Sequence, residues 1–386
     1  MRSRASRVGA SNGSSDTFVS DDLETLRGEL ADVDRGILAL VARRRTLAES
    51  IGKAKSRVGR GTRDFAQERV VLDRVRTAAD ALGVPRRLAE DLLRLLIGSS
   101  LTVQEHQRIA ESDAGSGQRA LVIGGSGRMG GWLAGFLASQ GFAVTIADPV
   151  AGDGNFEHVA DWRDAEGDFA MTVVAAPLRI SARVLNELAE SPPTGIVFDV
   201  GSLKSPLREG LKRLRDAGAR VTSVHPMFGP DAELLSGRHV VFCDVGCPEA
   251  THAARALFEP TMAELVTMDL DTHDRLMAWV LGLSHALNVA FFTALASGDA
   301  PVSELSEVSS TTFDTQLRAA APVASENPRL YFEIQALNAH GGDSLKALSE
   351  AVETIRSLVA AGDEEGFVRL MEQGRTHLSE SPLSER

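Results

Sequence analysis

Cysteine is scarce in this chain: two in 386 residues, Cys243 and Cys247. That is too few for a disulfide framework or a zinc site, and no other stretch has the compact ligand spacing of a metal centre. Long apolar runs are lacking as well, and none approaches the ~18–20 residues of a membrane-spanning helix. Basic charge is outweighed, with 41 Lys and Arg against 53 Asp and Glu for a net charge of −12. This argues against nucleic acid and anionic membranes as partners, and an anionic substrate must be met by local basic clusters. What is present is the ordinary mixture of a cytoplasmic globular protein, 43% hydrophobic and 24% charged, long enough for two or three domains.

Residues 1–19 are rich in Ser, Gly and Arg and read as a disordered tail. Their shortness and lack of a long amphipathic pattern argue against a transit peptide. From Ser20 the pattern turns helical: Leu23, Leu26, Leu30, Val33, Ile37, Leu40, Leu47 and Ile51 recur at steps of three and four with one place skipped. That predicts a helix of about 34 residues, with Ser20 or Asp21 as cap. A second helix is expected over 64–82, ending at Gly83, and a third from Pro85 to about residue 108. So long a first helix cannot bury its stripe within an all-α unit of residues 20–108, which predicts helix-swapped dimerisation.

A polar linker, 109–118, leads into alternating strand and helix patterns over 119–270. Strands are expected near 119–124, 143–147, 170–175, 195–200, 221–224 and 239–243, the signature of a doubly wound parallel sheet. Residues 271–386 read as helical, through 273–297, 302–325, 328–358 and 364–380. The fold class is multidomain: an all-α three-helix domain, an α/β dinucleotide-binding domain and an all-α C-terminal domain.

The skipped place in the first helix is Arg44, pointing with the apolar stripe, and Lys55 follows four residues after Ile51. On the third helix Ser100 and Gln104 share a face. Either the long basic side chains snorkel to solvent, or they line a pocket for a compact polyanion, since an unpaired buried charge is costly.

The stretch "ALVIGGSGRMGGWLAGFLASQGFAVTIADP" (120–149) is strand, glycine turn, helix and strand. Gly125, Gly127 and Gly130 form G-x-G-x-x-G in the context that binds a dinucleotide. Arg128 and Met129 lie within the turn, with the pyrophosphate at the helix N-terminus. Asp148 ends the second strand where a carboxylate accepts from ribose hydroxyls and repels a 2′-phosphate, which favours NAD over NADP. In "VTSVHPMFGPD" (221–231) His225 stands at the rim of a strand before a turn stiffened by two prolines. It is either a strand-capping loop histidine or a titratable group fixed for chemistry.

Residues 21–106, including "RRRTLAESIGKAK" (43–55) and the pair Asp64 and Glu68, resemble the all-helical chorismate mutases. The resemblance implies that Arg44 and Lys55 bind substrate carboxylates and that Lys55 and Gln104 touch the ether oxygen. Asp64 and Glu68 then meet the ring hydroxyl side, Ser100 a carboxylate, and Arg27 reaches the partner subunit's site. A Claisen rearrangement needs only a fixed conformer and donors where charge develops. Gln67 and Ser99 stand where the family often has an arginine and an aspartate.

With "GGSGRMG" (124–130), "DVGSLKSPL" (199–207), "HPMFGPD" (225–231) and "HDRLMAWVLGLSHALNVAF" (273–291), nearly the whole chain resembles the bifunctional chorismate mutase–prephenate dehydrogenases. This implies a tyrosine-biosynthetic enzyme that converts chorismate to prephenate and oxidatively decarboxylates prephenate with NAD+, as a cytoplasmic homodimer open to tyrosine feedback. His225 is then the general base, and Ser202 shares hydrogen bonds with it and the substrate. His285 faces the substrate and His273 lies nearer the nicotinamide. Lys204 is either an anion ligand or an ordinary surface lysine. Pro322 stands where the family's carboxylate-clamping arginine is expected, with Arg318 one turn earlier as its replacement. Other readings are the same reactions on 4-amino-4-deoxychorismate, or an arogenate dehydrogenase with a regulatory helical domain.

Overall fold

The computed structural model describes residues 15–57, 63–152 and 154–379. The chain divides into two compact units, residues 1–112 with 260–262, and residues 113–259 with 263–386.

The first unit holds three helices, α1 (Ser15–Arg57), α2 (Phe65–Leu82) and α3 (Arg86–Ser112). Helix α1 spans 43 residues and begins at Ser15, inside the stretch expected to be a tail. Residues 1–14 of that stretch lie outside the described residues. Asp64 caps α2 by accepting from the Gln67 amide at 3.0 Å, and Gly83 ends it at φ 67°, which glycine adopts without steric cost. The face that α1 turns to α3 is not the leucine stripe. Ala48 is buried, and Val41, Arg44, Gly52 and Lys55 on the same side are half-buried. Leu23, Leu26, Leu30, Val33, Ile37 and Leu40 stay between 47% and 66% exposed.

The second unit is built on an eight-stranded sheet of order β3-β2-β1-β4-β5-β6-β7-β8. Its strands are β1 (Arg119–Ile123), β2 (Ala143–Ala147), β3 (Glu157–Val159), β4 (Met171–Val174), β5 (Ile196–Asp199), β6 (Arg220–Pro226), β7 (His239–Cys243) and β8 (Glu264–Met268). Helices α4 (Arg128–Ser139), α5 (Leu178–Leu188), α6 (Arg208–Asp216) and α7 (Pro248–Ala256) cover it. The expected strands are present, with β3 and β8 added. The sheet departs from the all-parallel expectation in one place: β6 and β7 run antiparallel. The segment between them contains no helix, and a short direct return lets two strands pair antiparallel. Apolar side chains from both strands and helices, among them Val174, Leu185, Val197, Leu207 and Leu211, close the core beneath the sheet.

Helices α8 (Leu270–Met277) and α9 (Ser284–Ala296) join through a π-helical turn over Ala278–Leu283. Beyond them lie α10 (Val302–Glu307), α11 (Thr311–Ser325), α12 (Pro328–Leu337), α13 (Gly341–Ala361) and α14 (Glu364–Ser379). Two helices read as continuous are broken. Ser310 caps α11 by accepting from Phe313 N, and the Asn338 amide leaves the helix to donate to Asp274 O at 2.9 Å. That bond helps explain why the C-terminal helices share one compact unit with the sheet. Contrary to the expectation that no apolar run is so long, Leu270–Ala296 is by length and composition apolar enough to cross a membrane, with hydropathy 1.5 in its most apolar window. It also carries the fully buried polar pair His273 and Asp274.

Candidate active sites

In the helical unit the Arg44 guanidinium donates to the Leu96 carbonyl and the Ser100 hydroxyl. Burial lowers its pKa from the ordinary arginine value. Gln104, one turn beyond Ser100, is buried with Oε1 lacking a partner. A Cβ at Gly52 would lie 3.0 Å from Gln104 Cγ, so the missing side chain there keeps α1 close to α3. Arg44, Ser100, Gln104 and half-buried Lys55 thus share one inter-helix face. Two expected ligands are engaged elsewhere: Asp64 caps α2, and Glu68 forms a bidentate pair with Arg63 at 3.0 and 3.1 Å. Arg27 is exposed and paired with Glu24 at 2.7 Å.

In the second unit the glycine turn follows β1 directly. Gly124, which stands just before the recognised motif, takes φ 84°. A Cβ on Gly130 would lie 2.1 Å from Gly124 O, and one on Gly125 would strike Ile146 at 2.7 Å. Gly127 begins α4 without a side-chain cap, so the first amides of α4 face outward with the positive helix end, the arrangement that holds a pyrophosphate. Asp148 accepts from Ser126 N at 3.3 Å and Val150 N at 2.9 Å, fixing its carboxylate at the end of β2. These features fit NAD. Arg128 is ion-paired with Asp231 at 2.8 Å and Glu326 at 3.0 Å, and Met129 is half-buried beside it.

His225 belongs to β6, one residue inside the strand and opposite Val241, where a loop position was expected. Its Nδ1 lies 2.9 Å from His273 Nε2, and His273 Nδ1 lies 2.8 Å from Asp274 Oδ1. Nε2 of His225 has no partner among the described residues. Desolvation, with His273 and Lys204 nearby, drives His225 well below its ordinary pKa. Asp274 also accepts from Lys204 N at 2.8 Å and from the amide and hydroxyl of Ser205.

Lys204 is neither a surface residue nor an anion ligand. It is fully buried, and its ammonium donates to Asp199 Oδ1 at 3.0 Å, Gly201 O at 2.7 Å and Val224 O at 2.8 Å. All three protons are therefore taken. The last bond fixes the backbone one residue before His225. Ser202 does not bond His225; its buried hydroxyl has no partner. His285 packs against Tyr331 with ring centroids 4.4 Å apart and the planes tilted by 35°, its Nδ1 buried and unpartnered. Arg318 is exposed, donating to Thr315 Oγ1 at 3.1 Å. Pro322 lies one turn later inside α11. Asp199, Asp274, Tyr331 and Gly124 escaped the sequence reading, although "HD" at 273–274 and "FDVG" at 198–201 carried the two acids in plain view.

An all-helical unit with a basic, amide-bearing inter-helix face precedes a dinucleotide-binding unit whose strand presents a buried histidine: the class is a mutase joined to a nicotinamide-dependent dehydrogenase. Three family models match: chorismate mutase type II over residues 26–105, the prephenate dehydrogenase nucleotide-binding domain over 150–267, and the prephenate dehydrogenase dimerization domain over 269–373. The T-protein of Enterobacter agglomerans is 27% identical over 350 residues, 90% of this chain and 90% of that protein. A 4-amino-4-deoxyprephenate dehydrogenase of Streptomyces pristinaespiralis is 29% identical over 68% of this chain and 92% of its own length. The fold resembles a crystal structure of A. aeolicus prephenate dehydrogenase in complex with hydroxyphenyl propionate and NAD+ at TM-score 0.56 and 19% identity, covering 68% of this chain and 98% of that one. The chain belongs to the family of bifunctional chorismate mutase–prephenate dehydrogenases. Its activities are chorismate mutase and NAD-dependent prephenate dehydrogenase, in tyrosine biosynthesis.

Proposed function

We propose that Arg44, Lys55, Ser100 and Gln104 hold chorismate in its reactive conformer, with the Gln104 amide turned to the ether oxygen. Their convergence on one half-buried face supports this, since the rearrangement requires positioning and stabilisation of developing charge but no proton transfer. Gly125, Gly127, Gly130 and the α4 amides hold the pyrophosphate of NAD and Asp148 the ribose, with Arg128 and Met129 bordering the turn. NAD+ supplies the hydride acceptor. His225 takes the proton of the ring hydroxyl at Nε2 as the ring becomes a ketone and loses its carboxylate as carbon dioxide. The unpartnered Ser202 hydroxyl and His285 ring nitrogen complete the substrate's polar contacts, and Arg318 holds a carboxylate in place of an arginine at 322.

The observation that carries this reading is His225 itself: a ring buried in β6, tethered through Nδ1, with Nε2 left for a ligand. The α1 stripe and the exposed apolar residues of α13 and α14, such as Val359 and Met371, support a homodimer closed through both units. The enzyme then works in the cytoplasm, where tyrosine is a candidate feedback ligand.

The test is turnover of chorismate, prephenate and 4-amino-4-deoxyprephenate with NAD+ by the full chain and by Arg318→Ala. Prephenate is the better dehydrogenase substrate, and Arg318→Ala raises its KM about tenfold, the cost of one charge-assisted contact. Faster turnover of the amino compound, with an unchanged KM for prephenate in Arg318→Ala, would overturn the hydroxyl assignment.

A further inference from the structure

Every hydrogen bond around His225 constrains where its protons sit. The Asp274 carboxylate accepts from Lys204 N, Ser205 N and Ser205 Oγ. Burial raises its pKa, yet these bonds and His273 hold it below the ordinary carboxylate value. An ionised carboxylate only accepts, so His273 donates to it through Nδ1–H. His273 itself is pushed down by burial and is neutral, which makes its Nε2 a lone-pair acceptor. His225 must then donate to it through Nδ1–H, and in a neutral ring that leaves the lone pair on Nε2, the nitrogen turned to the ligand. One anionic oxygen, two rings away, decides which nitrogen of His225 is basic.

We infer that His273 and Asp274 are positioning residues that fix the base tautomer of His225 and relay the proton it acquires toward Asp274. The inference rests on the reading of His225 as the dehydrogenase base. In the relay, the substrate O–H bond breaks as Nε2–H forms on His225. The Nδ1–H bond of His225 then breaks as Nε2–H forms on His273, and no further proton or electron is required.

The charges nearby favour that direction. Burial lowers the pKa of His225, and His273 and then Lys204, on the loop after β5, lower it further, so positive charge on this ring is disfavoured. On α8, charge on His273 is paired with Asp274 at 2.8 Å, and Asp199 at the end of β5 also favours it. Lys204 opposes charge on both rings. Cys243 on β7, pushed up to about 12 mainly by burial, is a neutral thiol and adds no charge.

The experiment uses the full-length enzyme with prephenate and NAD+, comparing wild type, His225→Asn, His273→Gln and Asp274→Asn. Mutase turnover and the dehydrogenase unit's thermal transition serve as controls for folding. Glutamine at 273 still accepts from His225 through its carbonyl oxygen but cannot carry a proton. His273→Gln should lower kcat about 10–100-fold with KM little changed, because the imidazolium loses its route to Asp274, and move the acid limb of the kcat profile to higher pH, because a ring that holds the His225 pKa down is gone. Asp274→Asn lets the amide donate to His273 and invert both rings, and should cost roughly 10²–10⁴-fold, the scale of a wrong tautomer beside a catalytic group.

Should Asp274→Asn fail to fold, ¹⁵N imidazole shifts of the wild-type protein decide independently. Both His225 and His273 are expected as Nδ1–H tautomers, and an Nε2–H tautomer on His225 overturns the relay. If His225→Asn is inactive while His273→Gln keeps wild-type kcat and acid limb, the relay is wrong and the base assignment survives. If His225→Asn retains full activity, the base assignment itself is wrong.

Discussion

Lys204 Nζ and Asp199 Oδ1 lie 3.0 Å apart with both side chains fully buried. The pair sits under the loop that leads to Ser205, and Lys204 also ties down the carbonyl before His225. Two charges taken out of water hold each other in place, and with them the backbone that leads into His225.

Removing one partner leaves the other charge buried and alone. Lys204→Met and Asp199→Asn are each expected to cost about 3–5 kcal/mol, the range for a broken buried pair, and the double variant less than their sum. Trp132, Trp162 and Trp279 all lie in the dehydrogenase unit and none in residues 1–112. Tryptophan fluorescence during urea unfolding therefore reads this unit by itself. Single-variant losses below about 0.5 kcal/mol, the level of an ordinary surface change, would contradict the role given to the pair.

The role proposed for Arg44 in holding chorismate predicts a dependence on its forked guanidinium. Arg44→Ala removes a charge-assisted contact worth about 1.5–3 kcal/mol in binding, and Arg44→Lys should not restore it, because an ammonium cannot match the planar geometry. Oxidation of supplied prephenate continues unchanged. Equal loss of both activities in coupled assays would argue for one shared site.

Asp148 predicts cofactor choice. The wild type prefers NAD+, and Asp148→Ser with Val150→Arg moves preference toward NADP+ by removing a carboxylate and adding a cation beside the 2′ position. Ratios of kcat/KM for the two cofactors measure it, and a wild-type preference for NADP+ would refute the reading.

Acid should loosen the dehydrogenase unit in a defined window. Burial keeps His225, His273 and His285 below their ordinary 6.5. The unfolded chain therefore takes up protons that the native state resists. The stability that neutral rings contribute is complete above 6.5 and declines as pH falls below it toward the native values, by about 1.4 kcal/mol per unit of separation. Asp274, depressed from 3.8, adds a second loss only as pH falls below that value. Urea midpoints followed by tryptophan fluorescence from pH 7.5 to 5 should fall, and less steeply in His225→Asn.

Local pattern made much of this protein legible. The G-x-G-x-x-G turn, the acid eighteen residues after Gly130, the period of the first helix and the "HPMFGPD" motif are all short-range signals. Each reflects a constraint that acts within a few residues: a close backbone approach, a helical face, a stiffened turn. The alternation of strands and helices likewise announced the sheet, because the crossover between parallel strands is usually a helix.

What only the tertiary structure decided lies between residues far apart in the chain. Lys204 looks like any lysine until β5, β6 and the loop between them close around it and consume its three protons. His273 is one of nine histidines in the sequence until α8 lays it 2.9 Å from His225, 48 positions away. Its neighbour Asp274 becomes the anchor of the pair because amides of residues 204 and 205 converge on it. Burial and pairing are properties of packed surfaces, and they set both the charge of a side chain and the tautomer of a ring. A sequence names the groups that can titrate; the fold determines which are desolvated and which neighbour holds the proton.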